Sequence, residues 1–281
     1  MSYSTFNLAR IQRETFVARV EHHASLGSTN DRAKELAASG VDGLPLLVIT
    51  DEQTAGRGRG SNRWWTGRGG LAFTLLMEGR SLGDERTGQP LVALAAAVAI
   101  VETVEPLLRP NGFLRRTQSH CVEEGRSETA SYEQGSVGLH WPNDVYVGNR
   151  KLAGILVEVL PDRKHVIGIG LNTNNSLVDA PPELRQTATT LLDLTGRPHA
   201  QTEVLIGLLN ELARVFTQLA IDPAAIGRRA DKLCLQRGQT LSLQLGPQLI
   251  TGLCLGIAPD GGLILETAQG RQTFYSGVLR R

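Results

Sequence analysis

The sequence predicts an α+β protein with a larger domain of helices and strands followed by a small all-β module. Two patterns carry this prediction. Up to about residue 220, short apolar or alternating runs typical of strands are interspersed with segments of helical periodicity. From about residue 237, short strand-like runs are separated by Gly- and Pro-containing turns. A length of 281 residues suits one domain of roughly 200 residues plus a small one.

The first part of the chain is predicted to contain three strands and two helices. The strands are residues 16–22, 46–50 and 70–78. The first helix begins at Ser28-Thr29, which suit an N-cap, and stops at Gly40. The second helix, residues 89–108, is apolar on almost every side and is therefore expected to be buried.

The remainder is predicted to begin with a polar surface insertion, residues 109–138, which has no clear periodicity. Three strands follow at 139–147, 152–159 and 165–171, and a turn at residues 148–150 joins the first two. Residues 202–220 carry an apolar stripe that indicates a packed helix. The module's strands are residues 240–245, 249–257, 263–266 and 271–276. We therefore divide the chain into residues 1–235 and residues 236–281.

Composition excludes several classes of function. The formal net charge of +1 gives no general electrostatic attraction to nucleic acid or anionic membranes. The three cysteines are widely spaced and form no CxxC motif, which argues against a disulfide framework and favours a cytoplasmic setting. The six histidines are mostly scattered and predict no metal site. No signal peptide precedes the first helix, and the longest apolar run, residues 91–101, is too short to span a bilayer.

A Gly/Arg-rich loop, Gln53-Thr54-Ala55-Gly56-Arg57-Gly58-Arg59-Gly60, follows a predicted buried strand. Glycines let the backbone approach a ligand, and arginine forks bind phosphate or carboxylate. The loop is therefore a candidate phosphate clamp, although it lacks the Walker A pattern. A solvated flexible loop and an RGG-like nucleic-acid segment are alternatives. Trp64-Trp65 close the loop and either cover a ligand or pack against the core.

A second candidate is Trp141-Pro142-Asn143-Asp144, followed by Arg150-Lys151-Leu152-Ala153-Gly154. Lys151 lies just before an apolar strand, where its ammonium either neutralises a phosphate or points to water. Gly154 indicates close approach of a ligand or another backbone, and Asn143-Asp144 also suit a simple turn. A third candidate is Gly168-Ile169-Gly170-Leu171-Asn172, whose alternating glycines leave space on one face of a strand.

In this order, and together with Ser28-Thr29-Asn30, these segments resemble the catalytic domain of biotin protein ligases. The resemblance extends from about residue 20 to the C-terminus. It implies a mixed-sheet catalytic domain of the biotin/lipoate ligase type followed by a small SH3-like β-barrel. Fewer than 30 residues precede Ser28, so we expect the form without an N-terminal DNA-binding domain.

The resemblance also implies roles for residues. The biotin-binding residues would be Ser28, Thr29, Asn30, Gln53, Gly56, Arg57, Gly58, Arg59, Lys151 and Gly154. The residues that bind ATP or the adenylate would be Arg57, Arg59, Trp64, Asn143, Lys151 and Asn172. The residues that carry the chemistry would be Lys151, Arg57, Arg59 and Asp144.

The implied reaction joins biotin to ATP as biotinyl-5′-AMP, then transfers the biotinyl group to a lysine of a biotin carboxyl carrier protein. Such an acceptor is an acetyl-CoA carboxylase subunit or part of another biotin-dependent carboxylase. Magnesium would enter with ATP and need no protein ligand. Neither DNA nor a membrane is an expected partner, and many members of the family form homodimers through their sheets.

One position departs from the family pattern. The residue before Trp141 is usually Lys or Arg, and here it is His140, which supplies less charge near pH 7. Three rival functions remain: a lipoate or octanoyl ligase with the same core fold, a non-catalytic biotin sensor, and an RNA-binding module. The QTAGRGRG and KLAGILVE segments favour biotin, the retained Lys151 argues against a sensor, and the balanced charge argues against RNA binding.

Overall fold

The computed structural model describes residues 6–83, 89–109 and 135–280. In these ranges the first sheet contains seven strands: β1 (Arg19–His23), β2 (Leu46–Thr50), β3 (Leu71–Met77), β4 (Val137–His140), β5 (Asp144–Val147), β6 (Arg150–Val159) and β7 (His165–Leu171). The helices are α1 (Leu8–Glu14), α2 (Thr29–Ala38), α3 (Gln89–Leu108), α4 (Pro182–Arg185), α5 (Leu191–Thr195), α6 (Gln201–Ile221) and α7 (Pro223–Lys232). A short 3-10 helix spans Gly79–Leu82.

The first sheet has the order β1-β2-β3-β7-β6-β5-β4. Only β1 and β2 run parallel among its described pairs, and all others are antiparallel. The sheet is therefore mixed, as predicted. The short parallel contact needs a crossover, which α2 supplies between β1 and β2.

Successive residues of the central strands point to opposite faces of the sheet. Since these strands are mostly apolar, both faces are hydrophobic, and helices cover both of them. On one face, α3 and α6 pack together and form the main core with alternate residues of β2, β3 and β7. By length and hydropathy these two helices would also be able to cross a bilayer. Their apolar side chains instead bury the sheet and each other, which explains why α3 is apolar on almost every side.

On the other face, α2 packs against the remaining residues of the central strands, including Val48, Leu76 and Val166. The predicted capping is confirmed, because the Ser28 side chain accepts a hydrogen bond from the backbone N–H of Asp31. Gly40 follows the last turn with φ +73°, a conformation that favours glycine. The N-terminal end of α2 is thereby placed over the middle of the sheet.

The C-terminal module is a five-stranded antiparallel sheet of the predicted SH3-like type, with the order β11-β10-β9-β8-β12. Its strands are β8 (Thr240–Leu245), β9 (Gln248–Ile257), β10 (Leu263–Thr267), β11 (Gly270–Phe274) and β12 (Val278–Arg280). The first four agree with the predicted runs to within two residues at each end. The sequence pattern did not reveal β12, which has only three residues.

Two sequence predictions need correction. Residues 139–147 are not one strand, because Trp141-Pro142-Asn143 form a turn between β4 and β5. Pro142 has no N–H for the ladder, so it interrupts the pairing. Most of the predicted insertion, residues 110–134, lies outside the described residues. Its last part does not belong to an insertion, since Val137 and Gly138 begin β4.

The segment between the two sheets, residues 233–236, which we call the linker, runs along β4. Leu139 donates its N–H to the carbonyl of Leu233 at 2.7 Å and accepts from Leu235 at 2.9 Å. The Trp141 indole is fully buried and donates to the carbonyl of Gly261, in the C-terminal module, at 3.1 Å. The linker therefore pairs with the outer edge of β4 through an isolated parallel bridge, Leu139 with Cys234, and holds the module beside the first sheet.

Candidate active site

A cleft of about 990 Å³ opens on the α2 face of the first sheet, below the Gly/Arg-rich loop and beside the C-terminal module. All but one of the residues predicted to form the site lie on its wall. They are Ser28, Thr29, Asn30, Gln53, Gly56, Arg57, Gly58, Arg59, Trp64, Asn143, Asp144, Lys151 and Gly154. The sequence motifs, which are far apart along the chain, are thus brought together.

Asn172 is the exception. It follows the end of β7, and it is buried but does not line the cleft. Its Oδ1 accepts a hydrogen bond from Nδ2 of Asn175 at 3.2 Å, and its backbone N–H donates to the carbonyl of Leu152. The nucleotide contact of Asn172 stays a prediction; in this structure its side chain turns inward and stabilises the chain that leaves β7.

A corner of hydrogen-bonded side chains closes the end of the cleft near α2. Gln53 Oε1 accepts from the backbone N–H of Thr29 at 2.9 Å, and Gln53 Nε2 donates to the hydroxyl of Thr66 at 3.2 Å. The hydroxyl of Thr74 donates to Oδ1 of Asn30 at 2.7 Å. These bonds fix the orientation of both carboxamides, each of which can still make further hydrogen bonds. The corner therefore offers preset polar groups to a ligand.

Glu158, on β6, connects this corner to the Gly/Arg-rich loop. Its carboxylate accepts from Asn30 Nδ2 at 2.9 Å and lies 3.2 Å from Lys34 Nζ and 3.1 Å from Arg57 Nη2. Burial raises the pKa of Glu158, but the hydrogen bonds from Asn30 and Lys34 outweigh it and lower the pKa overall. Arg57 also pairs with Asp31 at 2.7 Å. Its guanidinium is thus held by two carboxylates at the edge of the cleft.

The sequence suggested that the glycines of β7 leave open space on one face, but side chains of this chain occupy that space. A Cβ atom at Gly168 would lie 2.0 Å from Asn30 Oδ1, and one at Gly170 would lie 2.2 Å from the Trp64 indole. The same indole is 3.0 Å from a Cβ position at Gly154. The glycines are needed because Asn30 and Trp64 lie directly on the strands, and Trp64 forms part of the cleft floor.

Lys151 is the second residue of β6 and not a residue before the strand. The pairing of β5 with β6 shifts register between Val145 and Tyr146, so Tyr146 pairs with Lys151 and Val145 with Ala153. Such a bulge redirects side chains and is common near active sites. Lys151 Nζ lies 2.8 Å from Asp144 Oδ1 and 5.6 Å from the Trp64 ring centroid. A cation and a carboxylate thus face the cleft as a pair.

Arg59 reaches across the cleft to the C-terminal module, where its Nη2 donates to the carbonyl of Gly277 at 3.4 Å. Burial lowers the pKa of Arg59, and the nearby carboxylate of Asp144 opposes this effect. An arginine keeps its charge under such conditions. Two of the cations that line the cleft, Arg59 and Lys151, therefore lie close to the carboxylate of Asp144.

The far end of the cleft lies at the linker. The His140 ring stacks on Tyr146 with 4.6 Å between ring centroids. The backbone N–H of Trp141 donates to Oε1 of Gln236, which is buried. All four residues line the cleft. The site is consequently built by both sheets and the segment that joins them.

Two family models match the chain. The model of the biotin/lipoate A/B protein ligase family matches residues 24–174, which is more than half of the sequence. The chain belongs to the biotin/lipoate A/B protein ligase family. The biotin protein ligase C-terminal domain matches residues 238–278, which coincides with the small β-module.

Curated relatives of this chain are also named as ligases. The bifunctional ligase/repressor BirA of Bacillus subtilis is 29% identical over 95% of this chain and 75% of its own length. The biotin–[acetyl-CoA-carboxylase] ligase of Mycobacterium tuberculosis is 32% identical, over 90% of this chain and 85% of its own.

A solved structure is also similar to this family member. Biotin protein ligase from Aquifex aeolicus, in complex with biotin and ATP, is 26% identical with a TM-score of 0.76 and covers 94% of this chain and 99% of its own.

Three residues that line or support this ligase site were missed by sequence reasoning. Thr74 lies in the middle of an apolar strand, Glu158 near the end of another, and Gln236 in the linker. The only signal for Thr74 was a polar residue in an otherwise apolar run. Glu158 and Gln236 carry no signal of their own, because their roles depend on contacts with residues more than ninety positions away.

Proposed function

We propose that this chain is a biotin protein ligase that activates biotin with ATP and transfers the biotinyl group to a lysine of a biotin carboxyl carrier protein. The observation that carries the proposal is the cleft itself. It joins the polar corner at Thr29 and Gln53 to the charged group of Lys151, Asp144 and Arg59. The similarity to a ligase crystallised with biotin and ATP supports the same conclusion.

In the first half-reaction, the biotin carboxylate attacks the α-phosphate of ATP, forms biotinyl-5′-AMP and displaces pyrophosphate. Two anions must meet for this step. We assign Lys151 and Arg59 to offset their repulsion and to stabilise the charge that develops in the transition state. Arg57 would join them after exchanging its carboxylate partners for the ligand. Burial strengthens these interactions because water screens them less.

At the other end of the cleft, the fixed amide of Gln53 and the hydroxyl of Thr29 would bind the ring of biotin. A ureido group has both donors and acceptors, as do these side chains. Ser28, Asn30, Gly56, Gly58 and Gly154 would shape the same end. Trp64, on the cleft floor, would lie beneath the bound adenylate, and closure of the Gly/Arg-rich loop over it would limit hydrolysis of the mixed anhydride.

In the second half-reaction, the amine of the acceptor lysine attacks the biotinyl carbonyl, an amide forms and AMP leaves. The attacking amine must lose a proton. We assign Asp144 to accept it, since its carboxylate is the nearest base to Lys151 in the cleft. Asn143, in the turn just before Asp144, donates a hydrogen bond from Nδ2 to the carbonyl of Ile155 and so fixes the position of Asp144.

Magnesium is part of the proposal only as a companion of ATP. In the described ranges, no group of three or more His, Cys, Asp or Glu side chains is placed to hold a metal ion. Phosphate oxygens and water suit Mg²⁺ as ligands, so the ion would bind with the nucleotide and neutralise the leaving pyrophosphate. No protein ligand is assigned to it.

The partner would be the biotin-accepting subunit of a carboxylase, in keeping with the name of the relative from Mycobacterium tuberculosis. We propose a cytoplasmic location, because the described cysteines Cys234 and Cys254 are buried thiols without a disulfide. We also propose that the chain acts without binding DNA, which its near-neutral charge supports. A homodimer is compatible with these roles.

The decisive test is ATP–pyrophosphate exchange that depends on biotin. We expect exchange with biotin and none with lipoate. Exchange with lipoate alone would assign the chain to lipoyl transfer in the same family. The same preparation assayed without biotin is the matched control for background exchange.

A further inference from the structure

Gln236 is a buried polar residue of the linker to which the proposed reaction gives no role. It is 1% exposed, although it lines the far end of the cleft. The neighbouring linker residues pair with β4 through Leu139, so the backbone at Gln236 is held firmly in place. A buried side chain on such a rigid segment has a defined orientation.

The orientation of the carboxamide follows from its partner. The backbone N–H of Trp141 donates to Oε1 at 2.6 Å, and only the oxygen end of the amide can accept this bond. The amino group must therefore occupy the other position. Within the described part of the chain, Nε2 is buried and has no hydrogen-bond acceptor. Since a buried donor without an acceptor is costly, this atom suits a ligand.

The position of Gln236 in the cleft indicates which part of the ligand lies next to its amino group. Asn30 covers β7, Lys151 lies on β6, Asp144 begins β5, and the linker runs beyond β4. At about 4.8 Å per strand, roughly 19 Å separate β7 from the linker. An extended substrate with biotin at the corner and its reacting carboxylate at Lys151 places its other half toward Gln236.

We propose that Gln236 Nε2 donates a hydrogen bond to the nucleotide half of the substrate. Gln236 is thus a nucleotide-binding residue, and through Trp141 it couples nucleotide binding to the turn that carries Asp144. This inference rests on the proposed function. An amide donor suits the acceptor atoms of ATP, which has many oxygen and ring-nitrogen acceptors.

The test uses the full chain and Gln236→Glu, which retains an oxygen acceptor for Trp141 but replaces the donor with a charged oxygen. We expect the Kd for the α,β-methylene analogue of ATP, with biotin present, to rise at least about tenfold. The Kd for biotin alone should change less than about twofold. Gln248→Glu adds the same charge at an exposed residue of the C-terminal module and should leave both constants unchanged.

Gln236→Met separates ligand binding from a purely structural role. It has a similar size but neither donor nor acceptor, so it should also weaken nucleotide binding, though less than Gln236→Glu. If Gln236→Glu binds the analogue like the wild type and only Gln236→Met is impaired, Gln236 merely holds Trp141, and the proposal is overturned. An equal loss of biotin and nucleotide affinity in both variants, with a lowered Tm, would overturn it too.

These binding constants are independent of the catalytic assay. A wild-type protein that binds the analogue but shows no biotin-dependent exchange would refute the proposed function. The ratio of Kd values between Gln236→Glu and the wild type would still decide whether Gln236 contacts the nucleotide.

Discussion

Replacing Gly168 by alanine is the most direct test of how the cleft floor is built. A Cβ atom there would lie 2.0 Å from Asn30 Oδ1, far inside van der Waals contact. Asn30 has little room to withdraw, because it accepts from Thr74 and donates to Glu158. Either β7 or Asn30 has to move, and because both are buried, the movement disturbs packed neighbours.

The expected cost can be worked out from these contacts. Displacing Asn30 breaks its bond with Thr74, whose hydroxyl is fully buried, and its charge-assisted bond with Glu158. Buried polar groups that lose partners cost about 1–3 kcal/mol each, and overpacking adds a similar amount. We expect a loss of about 3–5 kcal/mol in unfolding free energy. For a chain of this size, that lowers Tm by roughly 6–20 °C.

The assay is thermal unfolding followed by circular dichroism, with Gly207→Ala as the control. Gly207 lies within α6, and a Cβ there would meet only Thr103 at an ordinary 3.9 Å. Alanine in a helix is favoured over glycine, so the control should be as stable as the wild type or slightly more stable. A Gly168→Ala protein that unfolds within 1 °C of the wild type would show that Asn30 does not lie on Gly168.

Three further predictions concern the site and the junction. Lys151→Ala should lower biotin-dependent pyrophosphate exchange by about 10²–10³-fold through lost charge stabilisation; unchanged exchange would remove Lys151 from the mechanism. Because the folded-state pKa of Glu158 is lowered, its carboxylate stabilises the protein above the unfolded pKa, and this stability is lost as pH falls through the folded pKa. In urea titrations, the unfolding free energy of Glu158→Gln should thus be lower than that of the wild type at pH 7, and the difference should vanish in acid. A difference that does not depend on pH would contradict the ion pairs. Trp141→Phe removes the bond to the Gly261 carbonyl and should cost about 1–3 kcal/mol in urea unfolding; wild-type stability would mean that this bond is dispensable.

Much of the fold was predictable because local patterns agree with the global arrangement. The cap at Ser28, the stop at Gly40 and the apolar helix α3 each depend on residues within one or two turns. The turn at Trp141-Pro142-Asn143 was not recognised, because the alternation of apolar residues on both sides of it suggested a single strand. A proline within such a run was the signal to divide it.

The candidate site was predictable as a set of residues but not as a set of contacts. The resemblance brought Lys151, Asp144 and Gln53 together correctly, since all three line one cleft. The reason for the glycines was misjudged. Gly168 and Gly170 make room for Asn30 and Trp64 of this same chain, and no sequence periodicity connects residues so distant. The inward turn of the Asn172 side chain was not predictable either, because the end of a strand does not determine where a side chain turns.

The linker has a practical consequence for protein engineering. Residues 233–236 shield the outer edge of β4, and a bare strand edge invites aggregation. Trp141 binds the linker through its backbone and the C-terminal module through its indole. The division of the chain after residue 235 therefore runs through a shared structural unit. A chimera that exchanges the module with that of a relative should carry both the linker and the facing turn at Trp141, or the two halves will not fit.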